Sequence, residues 1–530
     1  MFYKSFYFVS LILLTLIILP IFGIISKIEF NNFDLYNFFK SNYNIQIIYI
    51  SFFQALLSAS ICCLIAIPFS IIFYRNKNLK IIKLIISLCG YSFVIPSILI
   101  VHSVIGIYGT NGFINNIFNF YEILNFKSLF GLKAIVFAHI LLNAPFATKI
   151  LFQNLNTIPK KYIEIANSLN LKLLSFLIKI ELPILKQNLF STFAIIFVLC
   201  FLSFAIVMTL GGGPSTSNIE VAIYQAALFE LNFNKAIILS FIQMLICLIL
   251  LLLGFYKLKG GNYFDIQNDF YEYPFNDYKI LKYFDCIMII IYSVFFFSPI
   301  IYILYKFINI IDFNEILLKE YFINAFLNSF IISLFTGLLV TISGLFLSIL
   351  IFNMREKIYS QQILFILSSI IIVVSPIIIS LGYFILLGEL RYINSIIIII
   401  LIIINCLLLI PFSILILFTR IKNIYLNFND SKKTFNLNEI NFIRIIFPLI
   451  KNNLLFIYSL SVCISFGDFT IISFFNNDSF QTLPILLYKL IISYKFNEAS
   501  FVAGFMLIFT LFVYLLFDNI TYKEIPDKRI

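Results

Sequence analysis

Uninterrupted apolar runs of about 20 residues, the length a helix needs to cross a bilayer, recur along the whole of this 530-residue sequence. SFYFVSLILLTLIILPIFGII near its start and FVAGFMLIFTLFVYLLF near its end are two of them. A backbone immersed in lipid must satisfy its own hydrogen bonds, which leaves only helices or closed barrels. A barrel would alternate apolar and polar residues over ~10-residue segments, and these runs do not alternate. The chain is therefore expected to be an all-α polytopic membrane protein. Its 12% charged residues are about half the share of a soluble domain, and its mean hydropathy is +1.03.

Hydropathy divides the chain into twelve expected spans: 6–25, 48–73, 84–107, 133–153, 188–209, 236–256, 284–305, 325–352, 363–388, 393–418, 453–475 and 500–518. The first run follows Lys4 alone, is longer than a signal-peptide core and lacks a small-residue cleavage site, so it is expected to stay as a helix. The eight cysteines lie in or beside apolar runs without metal-ligand spacing, and they read as small buried hydrophobes. With both termini in the cytoplasm, 26 of the 36 Lys and Arg residues fall on the cytoplasmic side. The reverse orientation would invert that bias, so both termini are expected inside.

One segment resists assignment as a span. Lys160–Lys186 contains twelve Leu or Ile residues, worth roughly −6 kcal/mol on insertion. It also carries Lys160, Lys161, Glu164, Lys172, Lys179, Glu181 and Lys186, each costing about +3 kcal/mol near the bilayer centre. The segment is expected outside the membrane, on the cytoplasmic side, as two short amphipathic helices. Pro159 suits a first helical position, and Ile163, Ala166 and Leu169 line one face. Asn170 suits the left-handed turn that ends a helix. Leu173, Leu177 and Ile180 then repeat the helical spacing, and Pro183 marks the next span. An apolar face outside lipid needs a cover. Either another protein docks there, or the helices rest on the membrane surface or on their own bundle.

The chain also repeats itself. NAPFATKI at 143–150 resembles LIPFSILI at 409–416, with Pro145 and Pro411 in register. At the same offset Glu164 meets Asp430, Ser168 meets Thr434 and Asn170 meets Asn436; one gap later Pro183 meets Pro448. Two six-helix halves in one orientation follow, since six crossings return the chain to its starting side. The first is expected over 1–258 with its polar loop at 158–186. A linker follows over 259–282, and the second half, 283–530, has its loop at 420–450.

EIANSLNLKLLSFLIKIELP, Glu164 to Pro183, resembles the EAA motif of ABC-importer permeases: Glu, Ala two later, a glycine-like turn and Pro thirteen beyond it. The resemblance implies two tandem six-helix permease repeats, about twelve transmembrane helices in all, and a coupling helix that inserts into a separate ATPase subunit. Carried over by position, the coupling residues are Glu164, Ala166, Ser168, Asn170 and Pro183, with Asp430, Asn436 and Pro448 in the second copy. Asn170 replaces the usual Gly, and the second copy has Asp430 for Glu and Lys432 for Ala, a departure that bears on whether both halves dock alike. AHILLNAPFATKILFQNLNTIP (138–159), SFAIVMTLGGGPSTSNIEVAIYQAAL (203–228) and SFGDFTIISFFNNDSFQTLPILLYKLI (465–491) resemble fused thiamine/thiamine-pyrophosphate permeases over nearly the whole chain. That likeness implies uptake of thiamine or its phosphates across a bacterial inner membrane, a periplasmic substrate-binding protein and two ATPase copies that hold ATP and magnesium. It implies no cofactor, metal or catalytic site on this chain and no nucleic-acid partner. Iron(III) permeases share the architecture and are the alternative. A twelve-span secondary transporter would show charged or broken mid-membrane helices, and a membrane enzyme a cluster of acids or histidines. The sequence offers little of either.

Two further places carry candidate function. Gly211, Gly212, Gly213 and Pro214 form an external loop or re-entrant turn, either a tight turn or a gate and contact for the binding protein. Without a Walker A pattern, the chain is not expected to hydrolyse ATP. Asp468 sits in the apolar run VCISFGDFTIISF, where a carboxylate needs a partner or water. It either lies on the substrate path or braces a helix break beside Gly467. His102 and His139 read as hydrogen-bonded structural groups.

Overall fold

The computed structural model describes residues 2–27, 35–110, 112–118, 130–257, 279–310, 313–353, 374–434, 439–477 and 480–523. Among them there are helices and connecting turns and no strand. Among the described residues nine helices are long and apolar enough to cross a membrane, or ten if a pair bent by 55° counts as one span. The protein is thus a multi-pass helical membrane protein.

The first sequence half runs through α1 (Phe2–Ile25), α2 (Asn42–Arg75), α3 (Lys80–Tyr91), α4 (Ser97–Tyr108), α5 (Leu132–Leu155), α6 (Lys160–Ser168), α7 (Leu182–Phe201), α8 (Ala205–Leu210), α9 (Ile219–Leu228) and α10 (Phe233–Lys257). The second runs through α11 (Lys279–Phe296), α12 (Ser298–Ile308), α13 (Glu320–Asn353), α14 (Pro376–Leu387), α15 (Asn394–Thr434), α16 (Glu439–Phe466), α17 (Ile472–Phe475), α18 (Leu483–Ile492) and α19 (Phe496–Lys523). Most of the expected linker, and the start of the expected ninth span, lie outside the described residues.

Four expected spans are broken, the seventh of them at Phe297 between α11 and α12. The third is split between α3 and α4 at Pro96, which has no N–H to donate and holds the preceding residue extended. The fifth ends at Phe201, and Asn218 Nδ2 donates to the freed Ser203 carbonyl at 2.8 Å. The eleventh ends at Phe466, before Gly467. There Asp468 Oδ1 accepts the backbone N–H groups of Thr470 (3.1 Å) and Ile471 (3.4 Å).

The two halves are built alike after each break. Ser51 Oγ of α2 accepts the N–H of Ile219, the first residue of α9, at 2.8 Å. Ser329 Oγ of α13 accepts the N–H of Leu483, the first residue of α18, at 2.9 Å. Both short helices then close on a non-glycine residue in the left-handed region, Leu231 (φ 52°) and Tyr494 (φ 60°).

Packing divides the chain differently from sequence. One compact unit comprises Met1–Leu35, Ile223–Met244 and Ile311–Ile530; the other comprises Tyr36–Ala222 and Leu245–Ile310. Each half's first helix therefore belongs with the other half. In the first unit α1 packs against α14, and a methyl on Gly23 would meet the Gly382 carbonyl at 2.6 Å. Small residues of this kind let membrane helices approach closely. Tyr383 Oη donates to Leu16 O at 2.9 Å along the same seam. In the second unit α12 runs along α4, with Ser103 Oγ donating to Pro299 O at 3.3 Å. Two ion pairs, Arg75–Asp285 (3.6 Å) and Lys319–Glu498 (2.9 Å), tie elements together within their own units. Each joins segments that the Lys and Arg distribution assigns to one side of the membrane.

Candidate functional site

The charged loop after α5 is built by a short helix and a tight stop. Pro159 is the residue before the first helical one (φ −65°, ψ 142°) and not the first itself, because its extended ψ cannot continue into the helix. At the other end Asn170 takes φ 45°. The Leu171 N–H then reaches back to Ala166 O at 3.0 Å and the Asn170 N–H to Asn167 O at 3.1 Å, the paired bonds of a Schellman stop. Asn tolerates this conformation and a β-branched residue does not. Asn170→Val should therefore cost about 1–2 kcal/mol and lower both thermal stability and uptake, whereas Asn170→Gly should preserve both. Equal melting temperatures for the two variants would contradict this.

The faces of α6 differ from expectation. Ile163 and Ala166 are buried, but Leu169 is 66% exposed. With Tyr162 (51%) and Ile165 (52%) it forms a second apolar stripe that none of the described residues covers. Hydrophobic spacing found a stripe, but α6 carries two, and only packing tells which one is inside. Glu164 is exposed and pairs with Lys160 at 3.5 Å; an exposed i,i+4 pair contributes about 0.3–0.5 kcal/mol, so it is available to a partner. Ser168 Oγ donates back to Ile165 O at 2.9 Å.

The expected second loop helix is not separate. A helical turn at Leu173–Phe176 and a π-helical turn at Leu177–Glu181 run straight into α7. Pro183 in the first turn of α7 removes a donor and crowds the carbonyl one turn before it, which widens the helix there. Leu174 (70%) and Ile178 (60%) extend the uncovered apolar surface, while Glu181 is fully buried and Pro183 is exposed. In the second copy Pro448 is exposed inside α16. Asn436 and the side chain of Asp430 lie outside the described residues.

The glycine loop is a closed turn. Gly212 (φ 72°) and Gly213 (φ 145°) occupy conformations that side chains rarely adopt. Thr216 Oγ1 donates to Gly211 O, and the Gly131 N–H donates to Leu210 O at 2.8 Å. Gly211 is buried, whereas Gly212, Gly213 and Pro214 are exposed. Asp468 braces its helix break through Oδ1, as described above. His139 is buried with Nδ1 3.3 Å from Ser58 Oγ, and His102 is buried with its ring 6.2 Å from that of Tyr302.

The thiamine transport system permease protein ThiP of Haemophilus influenzae is 30% identical over 497 residues, covering 92% of this chain and 90% of that protein. The chain belongs to the thiamine transport permease family. ThiP proteins of Escherichia coli K12 (27% over 498 residues; 93% of this chain, 91% of that one) and Salmonella typhimurium (27% over 482 residues; 89% of each) are similar over the same extent. No family model matches the chain.

Sequence reasoning about this permease missed two charged features. Arg75 and Asp285 form a buried pair, and Asn76 Nδ2 donates to Asp285 Oδ2 at 3.0 Å. Arg391 lies with its guanidinium 4.2 Å over the Phe384 ring and 5.1 Å over that of Tyr392. The signal available for the first was Asp285 itself, an acid at the edge of an apolar run. The second had none, because Phe384 lies on α14 and Arg391 in the turn after it.

Proposed function

We propose that the chain is the membrane-spanning subunit of an ATP-driven importer, taking thiamine or its phosphates from a periplasmic binding protein across a bacterial inner membrane. The observation that carries this reading is similarity to thiamine permeases along nearly the full length of both proteins. ATP and magnesium are held by two copies of a separate ATPase, and the permease passes their closure on to its own helices. The uncovered stripe of α6, with exposed Glu164 beside it, supports the loop as the place where one ATPase docks. The loop at 420–450 is the second docking place, with its Asp430 and Lys432 giving a different contact. The exposed turn Gly212–Pro214 suits a contact with the binding protein.

Reconstitution of the permease with ATPase and receptor in liposomes tests the reading. Thiamine-loaded receptor should stimulate ATP turnover and thiamine should accumulate inside. Stimulation by iron(III)-loaded receptor in its place would replace thiamine with iron as the cargo. Uptake that follows a proton gradient without ATP would remove the importer reading altogether.

A further inference from the structure

Aromatic rings gather around the helix break at Asp468, within the unit that contains α13–α19. Tyr224 of α9 meets Phe474 of α17 edge-on at 5.3 Å, and Phe474 meets Phe384 of α14 at 5.9 Å. Phe469, next to Asp468, lies 5.1 Å from Tyr488 of α18, and the hydroxyls of Tyr488 and Tyr224 are close enough to interact electrostatically. Phe469 and Phe474 are buried and form the base of the cluster, whereas Tyr224, Phe384 and Tyr488 each keep part of their surface open.

Two further observations bear on what such a cluster would hold. Phe384 already carries a cation on its face, the guanidinium of Arg391 at 4.2 Å. Cation–π contact is thus already made in this cluster, and that face of Phe384 is taken. Asp468 also stands at the break next to Phe469, its Oδ1 committed to the backbone N–H groups of Thr470 and Ile471.

A quaternary ring nitrogen has no N–H to donate, so hydrogen-bonding side chains cannot distinguish it from a neutral ring. Aromatic faces and a nearby carboxylate can, because they respond to the charge alone. Each such contact is modest, and a passage needs modest contacts, since a site that holds its cargo tightly does not release it.

We propose that Tyr224 and Tyr488, together with Asp468, form the site through which the quaternary thiazolium ring of the cargo passes. The site rests on the thiamine reading above and adds to it the group that the permease recognises. Charge is read by ring faces over a base of Phe469 and Phe474, and the carboxylate beside them balances it.

The test uses the full permease with its ATPase and receptor in liposomes, and the receptor is preloaded either with thiamine or with a neutral analogue whose thiazolium nitrogen is carbon. Wild type should import thiamine on the order of ten-fold faster than the analogue, which corresponds to one or two cation–π contacts. Tyr488→Leu and Tyr224→Leu should lose most of that preference, and Tyr488→Phe and Tyr224→Phe should keep it, since the face remains. Receptor-stimulated ATP hydrolysis reports that each variant is folded and assembled. Equal import of both cargoes by wild type would overturn the site without any variant. Leu variants that retain the preference, or Phe variants that lose it, would do so too. A wild type that imports no thiamine at all would overturn the substrate reading and the site with it.

Discussion

Permease carrying Ile165→Asp and Leu169→Asp should reach the membrane folded and fail to import. Both side chains are more than half exposed, on the stripe of α6 that the described residues leave uncovered, so the substitutions cost little internal packing. They place two carboxylates beside Glu164, in a surface that must shed water when a partner closes on it. Central apolar contacts in an interface are worth about 2–4 kcal/mol each, so the ATPase should lose at least a thirty-fold in affinity. Co-purification of the ATPase and receptor-stimulated hydrolysis should both fall to background. Ala166→Asp makes the contrast: Ala166 is buried, so an unpaired charge there should deplete the protein from the membrane. Normal uptake by the double aspartate variant would end the docking role of this stripe.

The largest effect on stability is expected at Asp285. Its carboxylate accepts from Asn76 at 3.0 Å and lies 3.6 Å from Arg75, and the two charged side chains are 3% and 9% exposed. Removing one partner of a buried pair leaves the other charge uncompensated, at a cost of about 3–5 kcal/mol. Asp285→Ala should therefore lower the melting temperature of the detergent-solubilised permease sharply, and Asp285→Asn should do so less, because the amide oxygen still accepts. Asp285 lies on α11 and Arg75 ends α2, so the loss should loosen the second half's first helix from its place. A melting temperature for Asp285→Ala within a degree of wild type would show that the pair holds nothing.

Most of the spans were legible because the bilayer fixes their length and polarity, and a hydropathy window detects just those two properties. The breaks at Pro96 and Gly467 were written in the sequence but averaged away by such a window. Asn170 was legible in full, since few residue types stop a helix in this manner. The orientation of α6 was not: Ile163 and Ala166 point one way and Tyr162, Ile165 and Leu169 another, and both stripes are apolar. Least legible was the pairing of α1 with α14. No local pattern indicates that Leu16 will accept a hydrogen bond from Tyr383, 367 residues away.

That separation has a consequence for how the protein is made. The first helix leaves the ribosome long before the helix it packs against exists. At about 5–20 residues per second the wait is on the order of twenty to seventy seconds. Throughout that time α1 has only lipid for company, which its largely apolar sequence allows. The unit of Tyr36–Ala222 and Leu245–Ile310 can close once Ile310 has been made, whereas the unit that holds α1 waits for the C-terminal helices.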